Sequence, residues 1–182
     1  MREKGAIQIT VFLLFFLGGI NTVQSQDLST VDSVDLDRYT GTWYEIAKIP
    51  NRFQKKCAKN TTATYKLMEN GKIRVINECI TAEGESTKAT GVARVVDDKT
   101  NSKLEVSFVS ILGLNLFWGD YWIIGLHENY EWAIIGNPSR KYGWILSRTP
   151  SLTDADLDKI YTILREKGYN PDEFEMTEQE IK

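Results

Sequence analysis

Histidine is almost missing from this chain: His127 stands alone among 182 residues. A zinc centre or a Ser/His/Asp relay needs imidazole as ligand or base, so one histidine beside Glu128 in a tight turn leaves both chemistries incomplete. Cysteine is nearly as scarce, with only Cys57 and Cys79. Two thiols cannot staple a disulfide-dense scaffold, but in an oxidising compartment they suffice for one bridge. Net charge is also small, −3 from 22 basic and 25 acidic residues, which gives no reason to expect a nucleic-acid partner. Beyond residue 25 no apolar run is long enough to span a bilayer, and no Gly/Ser-rich or Pro-rich linker divides the chain. No metal, cofactor or catalytic residue is assigned.

The N-terminus carries the longest apolar run. Arg2 and Lys4 precede Val11–Leu17, and Val23-Gln24-Ser25 suits cleavage before Gln26, so residues 1–25 are expected to be an export signal. No cysteine stands before Cys57 to accept a lipid anchor. The mature domain, residues 26–182, is therefore expected to be released into the periplasm or secreted as a soluble protein. Its length fits one core.

Along that domain the hydrophobic period is two almost throughout. Segments near 43–49, 61–67, 72–80, 87–96, 103–109, 120–126, 131–135 and 142–148 are short and rich in β-branched and aromatic residues. Asn70-Gly71, Asp97–Asn101, His127–Asn129 and Asn137–Ser139 supply turn chemistry between them. This pattern predicts an all-β fold, an eight-stranded antiparallel up-and-down barrel whose interior could hold one small ligand. Thr153 then caps a helical pattern with Leu157, Ile160, Tyr161 and Leu164 on one stripe and Gly168 at its end. That single helix is expected to pack on the barrel wall.

The hairpin about Gly71 sets Tyr65 opposite Val75 and Thr61 opposite Cys79. Cys57 lies four residues before Thr61, close enough for a Cys57–Cys79 disulfide. Alternation places Ala63, Tyr65 and Leu67 on one face, as it does Ile73 with Val75, Leu104 with Val106 and Phe108, Tyr121 with Ile123, and Trp144 with Leu146. Spacing alone allows two roles for these rings: lining a pocket or filling the barrel.

Gly41-Thr42-Trp43, Gly119-Asp120-Tyr121 and Ser147-Arg148-Thr149-Pro150 resemble, in order and spacing, the three signatures of the lipocalin family, nearest to its apolipoprotein D and bacterial outer-membrane branches. The resemblance implies a calyx closed at one end that carries a small lipophilic ligand such as a fatty acid or lysophospholipid, for lipid storage, transport or membrane maintenance. It places Tyr65, Phe108, Tyr121 and Trp144 in the ligand cavity, and together with Ala63, Leu67, Val75, Leu104, Val106 and Ile123, which the alternation sets on the same faces, these form the expected ligand lining. Gly41, Trp43, Asp120 and Arg148 become structural signature positions, with the Arg148 guanidinium lying across the Trp43 indole. A few lipocalins are enzymes, which leaves a rival reading in which a carboxylate such as Glu45 or a free Cys57 thiol acts on a bound lipid.

The predicted topology also puts the connections after strands one, three, five and seven at the open rim. They carry Arg52, Lys55, Lys56, Lys59, Arg140 and Lys141 around an apolar stretch that ends in Phe117 and Trp118. Peripheral contact of Lys55, Lys56, Phe117, Trp118, Arg140 and Lys141 with an anionic membrane is the expectation, with solubility or an inward-folded lid as the alternatives. A monomer or weak homodimer is expected. Asn60-Thr61-Thr62 is a glycosylation sequon.

Overall fold

The structure, a computed structural model, describes residues 27–180; the predicted export signal lies outside the described residues. Eight antiparallel strands close on themselves: β1 (Gly41–Lys48), β2 (Lys59–Leu67), β3 (Ile73–Ile80), β4 (Ser86–Val95), β5 (Lys103–Ser107), β8 (Gly119–Leu126), β9 (Trp132–Gly136) and β10 (Gly143–Ser147). Each pairs with its neighbour, and β10 returns to pair with β1. A barrel of this kind leaves no long edge unpaired.

Local chemistry explains the joints. Gly71 takes φ 74° in the β2–β3 turn, where Asn70 accepts from the Lys72 N–H at 3.1 Å, and the register sets Tyr65 opposite Val75. Near the other end of β2 the register slips, so that Asn60 and Thr61 together oppose Cys79. This bulge, with Asn60 at φ 55°, bends β2 toward Cys57, which is bonded to Cys79. Further slips at Ile46 and Ile124 set two consecutive residues, Ile46 with Ala47 and Ile124 with Gly125, on the outer side of the wall, where an outer cluster forms.

That outer cluster seats the helix. Thr153 accepts from the Asp156 N–H and starts α2 (Asp154–Glu166), and Gly168 at φ 76° follows its end. Ile160 and Leu164 of α2 are fully buried against Ile46, Ile124, Ile134 and Ile145 on the wall, while Leu157 and Tyr161 are only partly buried. A second cluster fills the barrel itself.

Three features add to the predicted list: a short helix, a hairpin and a returning tail. Asp35 caps a one-turn helix, α1 (Leu36–Tyr39), at the start of the domain. The apolar connection between β5 and β8 is not a plain loop: β5 stops at Ser107, and β6 (Val109–Ile111) pairs with β7 (Leu114–Leu116) across Leu112-Gly113. After α2 the chain returns to the barrel, where β11 (Glu175–Met176) pairs with Ala47 and Lys48. Residue Glu178 then lies parallel to Lys59. The tail thus fills the seam where β1 and β2, paired from Gly41 opposite Tyr65 as far as Tyr44 opposite Thr62, splay apart.

Candidate ligand-binding site

One end of the barrel is sealed. Trp43 is completely buried, its indole N–H donates to the Tyr39 carbonyl at 2.8 Å, and the Arg148 guanidinium sits 3.7 Å from its ring centroid. Arg148 also donates to the carbonyls of Arg38, Tyr39, Thr40 and Thr42, fastening α1 over the opening. Gly41, at φ 94°, is needed here because a Cβ would lie 3.2 Å from the guanidinium. Asp120, the remaining signature residue, is exposed at the start of β8 opposite Glu105.

Above this seal three tyrosines form a floor. The Tyr121 hydroxyl is 2.8 Å from that of Tyr39 and 2.8 Å from that of Tyr65. Burial pushes the Tyr65 phenol up to about 12 and raises Tyr39 and Tyr121 well above the ordinary tyrosine value. Tyr65, Val75, Leu104, Val106 and Tyr121 meet around one residual cavity of about 10 Å³, room for roughly one water. Ala63 and Ile123 belong to the same buried cluster. At this depth the rings fill the barrel.

Lining positions nearer the mouth are more open. Trp144 is partly buried, packs against the inner cluster and donates its indole N–H to Gln54 at 2.8 Å. Phe108 is half exposed at the end of β5 and lies against Gly91, where a Cβ would come within 2.7 Å of its ring. Only a glycine lets that ring approach the inner face beside Val75. Leu67 departs from the predicted lining. It is 41% exposed at the sealed end of β2, beyond the tyrosine floor.

Polar side chains join the mouth to the tail. Glu45 is 3% exposed, and its carboxylate accepts from Gln54 at 2.5 Å and from the Thr177 hydroxyl at 2.6 Å, with Lys48 at 3.4 Å. Gln54 therefore spans from β1 to Trp144 on β10, holding the 49–58 connection over the opening. The Gln179 amide donates to the carbonyls of both Glu45 and Thr61, standing in for the missing β1–β2 ladder. Glu45 is thus a hydrogen-bonded junction, and Cys57 has no free thiol because it is bonded to Cys79. His127 lies at the sealed end, in the β8–β9 turn. Among the described residues no cluster of three His, Cys, Asp or Glu is placed to hold a metal ion.

The rim is apolar and basic, with two changes from expectation. Leu112 is 99% and Phe117 81% exposed, with Ile111, Leu114 and Phe53 also exposed. Arg52, Lys55, Lys56 and Lys141 are exposed around them. Trp118, however, is covered by the Arg94 guanidinium at 4.2 Å, and Arg140 is bound to the Lys167 carbonyl at the end of α2. Lys59 pairs with Glu180, and the Asn60 amide of the sequon donates to the same carboxylate. A wider concavity of about 460 Å³ lies on the outer wall under the β6–β7 hairpin, between Arg74, Ile76, Lys88, Val92 and Asn115. No helix of the described residues is long and apolar enough to cross a membrane.

Of these features, Tyr39, Gln54, Thr177 and Gln179 were not anticipated from sequence. None sits in a periodic pattern, and each acts through a contact between distant segments.

Comparison with known proteins agrees with this architecture. Residues 34–179 match the model of the lipocalin-like domain. Temperature-induced lipocalin-1 of Arabidopsis thaliana is 36% identical over 159 residues, covering 86% of this chain and 85% of that protein. Outer membrane lipoprotein Blc of Citrobacter freundii is 37% identical over 143 residues, covering 78% and 77% respectively. Insecticyanin from the tobacco hornworm Manduca sexta superposes with a TM-score of 0.67 over 84% of both chains at 22% identity, a likeness of fold alone. Lipocalins are in general binding and transport proteins for small hydrophobic molecules, and with most of its length matched by the family model this chain belongs to the lipocalin family.

Proposed function

We propose that this protein is an exported carrier that binds an acyl lipid reversibly, without turnover, at the open end of its barrel, and that it collects that lipid at a membrane surface. One observation carries the reading: the barrel is sealed at one end by Trp43, while the connections at the other end expose Phe53, Leu112 and Phe117. Apolar surface of this kind is costly to leave in water and marks an interaction site when it is contiguous. Exposed Arg52, Lys55, Lys56 and Lys141 around it suit an anionic surface, each cation contributing about 1 kcal/mol there.

Gln54 is the part that must move. Its amide holds Glu45 and Trp144 together, and a lipid chain entering past Trp144 has to displace it. Titration of tryptophan fluorescence with monoacylglycerol, lysophospholipid and fatty acid of one chain length tests the carrier reading. Saturable quenching at micromolar or lower concentration is expected for at least one of them, weakened by Trp144→Ala while the far-ultraviolet dichroism of the barrel persists. Binding no better than millimolar for all three would refute it.

A further inference from the structure

Two buried polar atoms inside the barrel have no hydrogen-bond partner: the Thr61 hydroxyl oxygen and the side-chain oxygen Oδ1 of Asn77. Thr61 is 5% exposed and follows the inward alternation of Ala63 and Tyr65. Asn77 follows that of Ile73 and Val75 on the adjacent strand. Register makes them near neighbours, because Ala63 opposes Asn77 while Thr61 lies one inward position further toward the mouth. Glu45 flanks them, since one Gln179 amide bonds the backbone carbonyls of both Glu45 and Thr61, at 2.8 and 2.9 Å.

Buried polar atoms are nearly always paired in folded proteins, so two unpaired atoms on one stretch of an apolar barrel mark a place where a ligand supplies the partner. We infer that Thr61 and Asn77 form a hydrogen-bonding station for an uncharged lipid that carries a hydroxyl group, such as a monoacylglycerol or long-chain alcohol. This rests on the carrier reading and narrows it.

The chemistry of the station sets the preference. A hydroxyl donates and accepts, so it can give its proton to Asn77 Oδ1 while accepting that of Thr61. A carboxylate only accepts, so it can take the Thr61 proton but cannot pair Asn77 Oδ1, and it would stand near the Glu45 carboxylate, beside which the nearby Lys48 is already placed. Burying an anion against acceptors is strongly unfavourable. A site shaped to hydrogen-bond a hydroxyl discriminates sharply against ligands that cannot reproduce the bonds.

Depth sets the orientation. Below the station the tyrosine floor leaves only about 10 Å³, too little for an acyl chain. The hydroxyl end therefore enters first, and the chain extends outward past Trp144 and Phe108 to the apolar rim.

The test compares 1-decanol with decanoate, which share a chain length and differ at the head, by calorimetric titration of the full mature protein near neutral pH. Decanol is expected to bind at least about tenfold tighter. The isosteric Thr61→Val should remove most of that preference, and Thr61→Val/Asn77→Leu should abolish it. Thr61→Val alone decides the matter if the double variant does not fold. Equal affinity of the wild type for the two ligands, or a preference untouched by Thr61→Val, overturns the station but leaves the carrier reading standing. Binding of neither ligand, nor of any lipid in the fluorescence series, overturns both.

Discussion

Alkali should unfold this protein through the floor of its barrel. Tyr65 is held protonated up to about 12, and Tyr39 and Tyr121 are raised well above their ordinary value, in each case chiefly by burial. In the unfolded chain each ionises near about 10. The stabilisation is therefore complete below about pH 10, and it is lost as pH climbs toward the folded values, because the unfolded state sheds protons that the folded state retains. Each pH unit in that window is worth about 1.4 kcal/mol per group, so the two units at Tyr65 amount to roughly 2.7 kcal/mol by about pH 12. Tyr39 and Tyr121 add to this with the same sign. Lys59, raised by its bond to Glu180, also weakens its support over this range, so the informative comparison is with Tyr65→Phe. Urea titrations between about pH 8 and 11 should give a steeper decline for the wild type than for the variant, by about 1.4 kcal/mol per pH unit above pH 10. Phenolate absorbance should meanwhile stay below the full signal of the chain's 8 tyrosines until the barrel melts. Parallel declines in the two proteins, or full phenolate absorbance from a still folded barrel near pH 10, would refute the argument.

Other perturbations are read in the same way. Trp43→Ala empties a wholly buried site under Arg148 and should cost about 3 to 5 kcal/mol in denaturant titrations. Reducing the Cys57–Cys79 bond, which spans 22 residues, should cost up to about 3 kcal/mol, seen as a lower thermal midpoint with thiol reagent present. At the rim, vesicle sedimentation should show binding to anionic membranes that falls with salt and with Lys55→Glu/Lys56→Glu. Leu112→Ser/Phe117→Ser should remove the salt-resistant part, and equal association with neutral and anionic vesicles would exclude electrostatic docking.

Much of this architecture was legible because a barrel writes itself into sequence as period two. The eight wall strands and the capped helix follow from alternation, turn residues and one helical stripe, and the structure departs from them mostly at boundaries. What escaped was not periodic. The one-turn helix α1 is too short to leave a pattern, and the β6–β7 hairpin is hidden because each of its strands is only three residues long and its turn begins at the apolar Leu112. At the rim, composition pointed to Trp118 and Arg140 as a free aromatic and a free cation. Instead Arg94 covers the first and the α2 terminus engages the second.

Glu45 shows why the site itself was harder to read than the fold. An acid at an inward position of an apolar strand suggests, from sequence, either chemistry or an error of alternation. Its meaning depends on Gln54, which arrives from a connection, and on Thr177, which lies 132 residues away in sequence. With both bonds made, the carboxylate links the tail in the β1–β2 seam to the connection over the mouth. A lipid that displaces Gln54 therefore removes one of the bonds that satisfy a buried charge, and the loss must be offset by contacts of the ligand itself. The mouth is consequently biased toward the closed arrangement, and Gln54→Ala should leave Glu45 underpaired, loosening the 49–58 connection and the tail together. Native hydrogen exchange tests that coupling: faster exchange in residues 49–58 and 175–180 of the variant is expected, with β3 and β4 unchanged. Faster exchange confined to residues 49–58 would show that the carboxylate does not transmit the change.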